Sequence, residues 1–182
     1  LVDENPAAAK TTLSRLSDLL RLALENVQTQ EVPLRREMEF LDNYLIIQKT
    51  RYGDRLIVNK NIGAETLDAA VPYLVLQPVI ENALKYGIDT LPGPGTITIS
   101  SFRENGRLVL RVDDSGPGRR NSREPGPGLG LGLSNTEARL QQLYGGNQSV
   151  AMTTAAGNFG TSVTITIPYK ETVPADVPGG AA

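Results

Sequence analysis

The chain has 182 residues, of which 18 are Lys or Arg and 20 are Asp or Glu, so its formal net charge is −2 and no basic block suggests nucleic-acid binding. It contains no cysteine and no histidine, which excludes disulfide frameworks, thiolate or imidazole metal sites, catalytic triads and a phosphohistidine within these residues. No apolar run approaches the roughly 20 residues that a membrane-spanning helix needs, so we expect a folded domain in solution.

Two amphipathic helices are predicted at the start of the chain. Leucines recur at helical spacing across residues 11–30. The same period continues from Leu34 through Ile46 to about Tyr52, with Pro33 at the first helical position. A glycine follows as a natural stop, and the two helices together predict an α-helical hairpin.

The apolar period changes from 3.6 to 2 after this hairpin. Residues 56–62 alternate as a strand does. Residues 71–86 are too long and too rich in Leu and Ala for a strand, so we predict a buried helix there. Pro72 would lie near its start, Pro78 would bend it, and Gly87 would end it.

A β-hairpin and a long loop are predicted next. Residues 95–102 and 107–114 alternate as strands, and the segment RENG joins them as a turn. Residues 115–132 are dense in Gly and Pro, which predicts a functional loop with its greatest mobility at residues 119–127.

The last third of the chain predicts one helix and two strands. Ser134 and Glu137 fit a capping box at the start of the helix, and Gly145 fits its end. Residues 148–155 and 161–169 form a final strand pair.

The order of these elements predicts the fold class and the domain boundaries. After the hairpin the order is β-α-β-β-loop-α-β-β, which describes an α+β fold, a two-layer α/β sandwich with a mixed, mostly antiparallel sheet. We expect a helical segment over residues 1–52, a second domain over 53–170 and a disordered tail over 171–182.

The helix predicted over residues 71–86 carries polar side chains at one end. Asn82, Lys85 and Tyr86 stand at i, i+3 and i+4 and share a face, with Glu81 one position round. An amide oxygen and a lysine suit Mg²⁺ and a phosphate, because Mg²⁺ takes a few oxygen ligands and keeps several waters. The alternative is a solvated last turn with a Glu81–Lys85 ion pair, and the helix alone leaves both open.

A carboxylate and two glycines follow the second strand of the hairpin, in the stretch DDSGPG. Asp114 at a strand end can accept a hydrogen bond from an exocyclic amine. Gly116 and Gly118 let the backbone approach a flat ring. An ordinary turn is the alternative, and this stretch alone does not decide between them.

Glycines occupy alternate positions in the stretch GPGLGLGLSN, residues 126–135. A Rossmann fingerprint is excluded because no strand directly precedes it, and a P-loop is excluded because no Gly-Lys-Ser/Thr follows. A glycine-rich loop that leads into a helix N-terminus near Asn135 presents free N–H groups to phosphates. A flexible linker is the alternative.

Together, these stretches follow the motif order of a known family. The GHKL ATP-binding fold is shared by gyrase, heat-shock chaperone, histidine kinase and mismatch-repair proteins. Its N box resembles LQPVIENALKYG, its D-x-G-x-G box DDSGPG, its lid box GLGLGLSN and its final strand GNFGTSVTITIP. The region before the ATPase domain in LytS-type sensor histidine kinases is similar to LSRLSDLLRLAL and FLDNYLIIQKTRYGDRL. The resemblance covers about residues 5–170 and implies the Bergerat fold, ATP and Mg²⁺.

Carried over position by position, the resemblance implies a role for each matching residue. Asn82 would coordinate Mg²⁺, and Glu81 beside it is the second catalytic candidate. Lys85 and Tyr86 would reach the phosphates or the ribose, and Asp114 would accept from the adenine amino group. The other implied nucleotide-binding residues are Gly116 and Gly118 flanking adenine, Gly160 and Thr161 beneath it, and Gly128, Gly130, Gly132, Leu133 and Asn135 at the lid.

Two departures from the family pattern bear on the reaction. Hydrolytic members carry a glutamate four residues before the N-box asparagine, and Pro78 stands there, so ATP hydrolysis is disfavoured. Tyr86 stands where many LytS-type sequences have histidine, and we expect it to be tolerated. The resemblance therefore implies a protein-histidine kinase. An anti-sigma-type serine kinase or regulatory module is the alternative, and a hydrolytic clamp ATPase is a third hypothesis.

Partners and location are also implied by the resemblance. We expect a response-regulator receiver domain as partner, and the protein's own dimerisation and phosphoacceptor helices in a homodimer. Leu1 opens the chain and histidine is absent, so we expect a piece of a longer protein that binds ATP but lacks the acceptor. It would be a cytoplasmic domain of an inner-membrane sensor, with membrane contact only through segments absent here and no nucleic-acid partner.

Overall fold

The computed structural model describes residues 30–118, 130–155 and 160–172. The first predicted helix except its last residue, the loop at 119–127, Gly128 and most of the predicted tail lie outside these ranges. In the described part of the chain, no helix is both long enough and apolar enough to cross a membrane.

A five-stranded sheet forms the centre of the fold. In chain order the elements are β1 (Glu31–Pro33), α1 (Leu34–Tyr52), β2 (Leu56–Ile62), β3 (Ala70–Pro72), α2 (Gln77–Asn82), a π-helical segment (Ala83–Ile88), β4 (Gly95–Glu104), β5 (Arg107–Asp114), α3 (Gly130–Tyr144), β6 (Ser149–Thr154) and β7 (Thr161–Pro168). The order across the sheet is β2-β4-β5-β7-β6. Strands β2 and β4 are parallel and the other neighbours in this sheet are antiparallel. The predicted α+β fold with a mixed, mostly antiparallel sheet is confirmed.

Alternation along the strands determines which sheet face is buried. Successive side chains of a strand point to opposite faces. On β5, Leu108, Leu110 and Val112 are buried, and Asp114 occupies the next position on the same face. The buried residues of β4 and β7 follow the same period. The three helices pack residues into the core that this face helps to form.

The buried side chains of helix α1 belong to the same hydrophobic core as those of the sheet. Leu34 and Leu41 are fully buried, and Gly53 ends the helix with a positive φ of 56°, as predicted. The apolar stripe predicts a buried Ile46, but this side chain is 43 % exposed. Pro33 closes β1 instead of opening the helix. The domain boundary at residue 53 stays a prediction, although α1 packs with the sheet domain.

The helix predicted over residues 71–86 is wrong at both ends. Its first residues belong to β3, which pairs antiparallel with β1. The helix begins at Gln77, so Pro78 lies in the first turn, where a missing N–H costs nothing, and does not bend it. Gly87 does not end it, because the turn widens into the π-helical segment and the N–H of Asp89 bonds to the carbonyl of Leu84 at 2.8 Å.

Two other boundaries differ from the prediction. The turn between β4 and β5 is only Asn105-Gly106, both with positive φ, the conformation of a tight two-residue hairpin. Helix α3 begins at Gly130, four residues before the predicted capping box, so Ser134 is an interior residue. The helix ends before Gly145 as predicted.

The last two strands and the start of the tail are also described. Strands β6 and β7 pair antiparallel, as predicted. Glu171 and Thr172 begin the tail predicted as disordered, but both form backbone contacts with the segment before β3. Glu171 pairs with Ala69, and the N–H of Thr172 donates to the carbonyl of Asp68 at 2.9 Å.

Candidate functional site

Asp114 occupies a core-facing position at the end of β5. The register pairs Asp113 with Ser162 across β7, which places Asp114 opposite Thr161. On the other side, β4 presents Ile97 to Asp114. Asp114 is 8 % exposed, whereas its neighbour Asp113 points to the opposite face and is half-buried. The sheet therefore holds one carboxylate, and not its neighbour, against the interior.

Hydrogen bonds fix the carboxylate of Asp114. Its Oδ1 accepts from the backbone N–H of Gly116 at 2.8 Å and of Thr161 at 3.2 Å. Burial raises the pKa of Asp114 above its usual range, while these two N–H donors lower it. A group held this way can accept a further hydrogen bond from a ligand amine.

Four glycines pack closely at the strand end that carries this carboxylate. A Cβ at Gly87 would come within 2.8 Å of the Asp114 carboxyl, and one at Gly116 within 2.5 Å of the Gly87 Cα. Gly118 and Gly160 have positive φ, and a Cβ on Gly118 would lie 2.9 Å from the Gly160 carbonyl oxygen. The π-helical segment and the strand end therefore meet at distances that only glycine allows.

Replacing Gly160 with alanine should destabilise the fold by more than about 2 kcal/mol, because its φ of 83° is unfavourable for a side chain and the added Cβ would overlap the Asp114 carbonyl oxygen. The free energy of unfolding from a urea titration measures this. Gly93→Ala is the control, since Gly93 has no positive φ and a Cβ added there would meet no atom within 4 Å. Equal stability of the two variants would contradict the packing described here.

Asn82 lies at the junction of α2 and the π-helical segment. Its side chain is half-buried, and its Nδ2 is buried with no hydrogen-bond partner. Buried polar atoms are nearly always paired, so this amide nitrogen is a donor left for an acceptor oxygen outside the described residues, while the amide oxygen is the atom that could ligate a cation. Among the described residues, no group of three or more Asp or Glu side chains forms a metal site. An Mg²⁺ held here would thus take one amide oxygen from Asn82 and the rest from ligand and water.

The other polar residues of this helix are exposed. Tyr86 is 61 % exposed, and the Lys85 Nζ lies 5.0 Å from its ring centroid. Glu81 accepts a hydrogen bond from Gln77 at 2.8 Å, and the Glu81–Lys85 ion pair is absent from this described segment. The side chains of Lys85 and Tyr86 can therefore reach a ligand from the solvent side.

A cavity of about 290 Å³ lies between α1 and this helix. It is lined by Tyr44, Gln48, Arg51 and Tyr52 from α1 and by Glu81, Leu84, Lys85 and Asp89. Arg51 forms an ion pair with Asp89 at 3.5 Å across it. Burial, with Glu81 as the next cause, raises the pKa of Tyr44 to about 12, so the phenol stays protonated at neutral pH. The cavity thus opens beside two of the predicted site residues.

The predicted lid residues are placed only in part. Gly130 and Gly132 lie in the first turn of α3, and a Cβ on Gly132 would lie 3.5 Å from the Cβ of Pro78. Leu133 is fully buried in the core, and its role at the lid stays a prediction. Asn135 is exposed on α3, and Gly128 lies outside the described residues. The start of α3 therefore packs against the start of α2.

Similarity to known proteins decides the family. The sequence model of the family described as Histidine kinase-, DNA gyrase B-, and HSP90-like ATPase matches residues 68–171, more than half of the chain. The chain belongs to this family. The N-terminal residues 1–56 match a second family, described as Histidine kinase. ATPase domains of this class bind ATP.

Several sensor kinases are similar to this histidine kinase-like chain. Sensor histidine kinase YpdA of Escherichia coli is 32 % identical over 147 residues, which is 78 % of this chain and 26 % of that protein. Sensor histidine kinase BtsS of Escherichia coli is 30 % identical over 163 residues, 90 % of this chain and 28 % of that protein. Sensor protein LytS of Staphylococcus saprophyticus is 28 % identical over 170 residues, 88 % of this chain and 28 % of that protein. The chain spans little more than a quarter of the length of these relatives.

Solved structures show the same fold. The mycobacterial sensor histidine kinase MprB has a TM-score of 0.56 at 19 % identity, over 78 % of this chain and 98 % of that chain. The Acinetobacter baumannii histidine kinase AdeS has a TM-score of 0.57 at 20 % identity, over 87 % and 79 % of the two chains. The histidine kinase-like ATPase fold is thus present in this chain.

The sequence motifs assign no site role to two residues of the site region. The sequence pattern predicts Gly87 only as a helix stop, yet it contacts the Asp114 carboxyl. Glu37 is fully buried and bonds to the segment before α2, although no motif includes it. A signal for Glu37 is nevertheless present in the sequence, since a charged residue stands in the apolar stripe between Leu34 and Leu41.

Proposed function

We propose that this chain is the ATP-binding catalytic region of a two-component sensor histidine kinase. It transfers the γ-phosphoryl group of ATP to a histidine elsewhere in the same protein, and from there to a response regulator. The observation that carries the proposal is the buried Asp114 carboxylate packed against Gly87 and Gly116, at the strand end where the family has its D-x-G-x-G box.

The adenine end of the site rests on Asp114. A carboxylate fixed by two backbone N–H donors is an acceptor for the adenine amino group, and its orientation does not depend on the ligand. Gly116, Gly118 and Gly160 let the backbone pack closely at this strand end, and we propose that adenine binds beside it. Thr161, directly opposite Asp114, completes this end.

The phosphate end rests on the exposed face of the helix. Asn82 would hold Mg²⁺ through its amide oxygen, and Lys85 and Tyr86 would contact phosphate or ribose. When bound, Mg²⁺ neutralises charge on the phosphates. Glu81 is the adjacent carboxylate, with its side chain exposed. The glycines at Gly128, Gly130 and Gly132, with the N–H groups at the start of α3, are the proposed lid contacts.

Transfer is favoured over hydrolysis by the residue at position 78. Pro78 lies in the first turn of α2 and packs near Gly132, and it has no group that can take a proton from water. The chain's contribution is then to position the nucleotide and exclude a hydrolytic base. The named relatives are sensor histidine kinases, which gives no support to the anti-sigma-type serine kinase.

Location and partners follow from this role. The chain would be a cytoplasmic domain of a sensor that acts as a homodimer, with a response-regulator receiver domain as the acceptor of the phosphoryl group. Dimerisation and membrane attachment would come from segments other than those described.

Label from γ-³²P-ATP tests the proposed reaction. In a longer protein that contains this chain, we expect incorporation that is labile in acid and stable in alkali, as phosphohistidine is. The 182-residue chain, which has no histidine, should take no such label. Acid-stable label on serine would support the serine kinase instead, and steady phosphate release by the chain would support a hydrolytic ATPase.

A further inference from the structure

Glu37 is a buried charge on α1, on the face that packs into the core. It is 0 % exposed and lies between the core residues Leu34 and Leu41. One carboxylate oxygen accepts from the backbone N–H of Leu74 at 2.8 Å and the other from that of Leu76 at 2.9 Å. An ionisable group in this position is costly unless it is bonded, so these two bonds are the reason that it is tolerated.

The two bonds lie immediately before α2. Leu76 is the residue that precedes the first turn of α2, and the first N–H groups of a helix have no partner within it. Leu74 has a φ of 58°, a left-handed conformation that leucine rarely adopts. The carboxylate of Glu37 thus bonds both the turn with this unfavourable conformation and the residue directly before the helix that carries Asn82 and Lys85.

Helix α3 holds the same segment from the other side. Arg139 donates to the carbonyl of Tyr73 at 2.5 Å and to that of Gln30 at 3.2 Å. In the described part of the chain, Arg139 is the charged side chain whose field acts on Glu37. The segment just before α2 therefore forms hydrogen bonds with one carboxylate from α1 and one guanidinium from α3.

We propose that Glu37 is a positioning residue for the nucleotide site, which in its ionised form fixes the start of the helix that carries Asn82 and Lys85. Asn82 lies six residues after Leu76, so a shift at the start of α2 is transmitted along a continuous helix. The inference rests on the proposed function, because that helix is taken to bind ATP.

Protonation of Glu37 should have the same effect as its replacement by glutamine. Burial raises the pKa of Glu37 to about 7, against the N–H groups of Leu76 and Leu74 and the charge of Arg139, which lower it. The carboxylate is then ionised at pH 8.5 and mostly protonated at pH 6. A protonated carboxyl and a glutamine amide each keep one good acceptor oxygen for two N–H donors.

The test compares the affinity of wild type and Glu37→Gln for a non-hydrolysable ATP analogue with Mg²⁺, at pH 6 and at pH 8.5. We expect the variant to bind about tenfold more weakly at pH 8.5 and equally at pH 6. Protonation of the analogue's phosphates affects wild type and variant equally, so it cancels in the ratio of their affinities at each pH. Glu39→Gln is the matched control, since Glu39 is exposed on the same helix and pairs with Arg36 at 2.9 Å. The control should match wild type at both pH values.

The outcomes separate this inference from the proposed function. If wild type does not bind the analogue, the proposed function fails. If wild type binds and Glu37→Gln binds equally well at pH 8.5, Glu37 is only structural and the inference is overturned. If Glu37→Gln does not fold, the pKa of Glu37 is measured instead in wild type, with and without nucleotide, from the ¹³C chemical shift of its carboxyl group. If the ionised form of Glu37 favours nucleotide binding, then bound nucleotide must lower this pKa, and an unchanged pKa overturns the inference.

Discussion

Replacing Asp114 with asparagine should weaken binding of an ATP analogue by about 30- to 200-fold, equivalent to about 2–3 kcal/mol. The asparagine oxygen can still accept from Gly116 and Thr161, so the local backbone bonds are retained. Its amide nitrogen is a donor, and it would face the donor amine of adenine. Calorimetric titration of the folded variant measures the loss.

The fold should survive this change. Because burial raises the pKa of Asp114, the ionised carboxylate opposes folding at neutral pH, and removing its charge does not reduce stability. Asp113→Asn is the matched control, since Asp113 is the preceding residue of β5 and points to the opposite sheet face. We expect wild-type affinity for it. Equal losses in both variants would mean that the site depends on net charge and not on this carboxylate.

Replacing Asn82 with alanine should remove most of the gain in nucleotide affinity that Mg²⁺ provides, a loss of about tenfold or more. The reason is that the amide oxygen is the one protein ligand proposed for the ion. Affinity for the analogue, measured with Mg²⁺ and with EDTA, gives this gain directly. Binding in EDTA should change little.

The same Asn82→Ala change should not destabilise the fold, although it weakens Mg²⁺-dependent binding. The Nδ2 of Asn82 is buried without a partner, which costs about 1–3 kcal/mol, and alanine is the better helix former. The melting temperature of Asn82→Ala should therefore equal or exceed that of wild type. Asn59→Ala, on the exposed face of β2, is the control and should leave both quantities unchanged. A variant that melts earlier and keeps its Mg²⁺ response would refute the assignment of Asn82.

The strand end of the site could be predicted because its signal is local. Alternation on β5 places Leu108, Leu110 and Val112 on one face, and the same period puts Asp114 there too. The same pattern predicts the final strand, and its register then brings Thr161 opposite Asp114. A period of two thus predicts both where a strand lies in the sequence and which sheet face each of its side chains points to.

The helical part was predicted less well because its geometry depends on contacts distant in sequence. The π-helical segment brings Gly87 against Asp114. A sequence pattern with a period of 3.6 residues predicts a regular α-helix and gives no sign of this wider turn. The partners of Glu37 lie 37 and 39 residues away. Strands β1 and β3 have three residues each, too few for a pattern.

Tertiary packing also overrode a local signal at α3. Ser134 and Glu137 fit a capping box, yet the helix begins at Gly130. Leu133 is fully buried, and Gly132 lies near Pro78, so packing of the first turn against α2 favours the longer helix. A capping sequence shows where a helix can start, and the core determines where it does.

The crystal structure of the chain with a non-hydrolysable ATP analogue and Mg²⁺ tests the central claim most directly. We expect the adenine amino group about 3 Å from a carboxylate oxygen of Asp114 and Mg²⁺ about 2.1 Å from the amide oxygen of Asn82. A nucleotide in the cavity between α1 and α2, or an adenine that does not contact Asp114, would contradict the account.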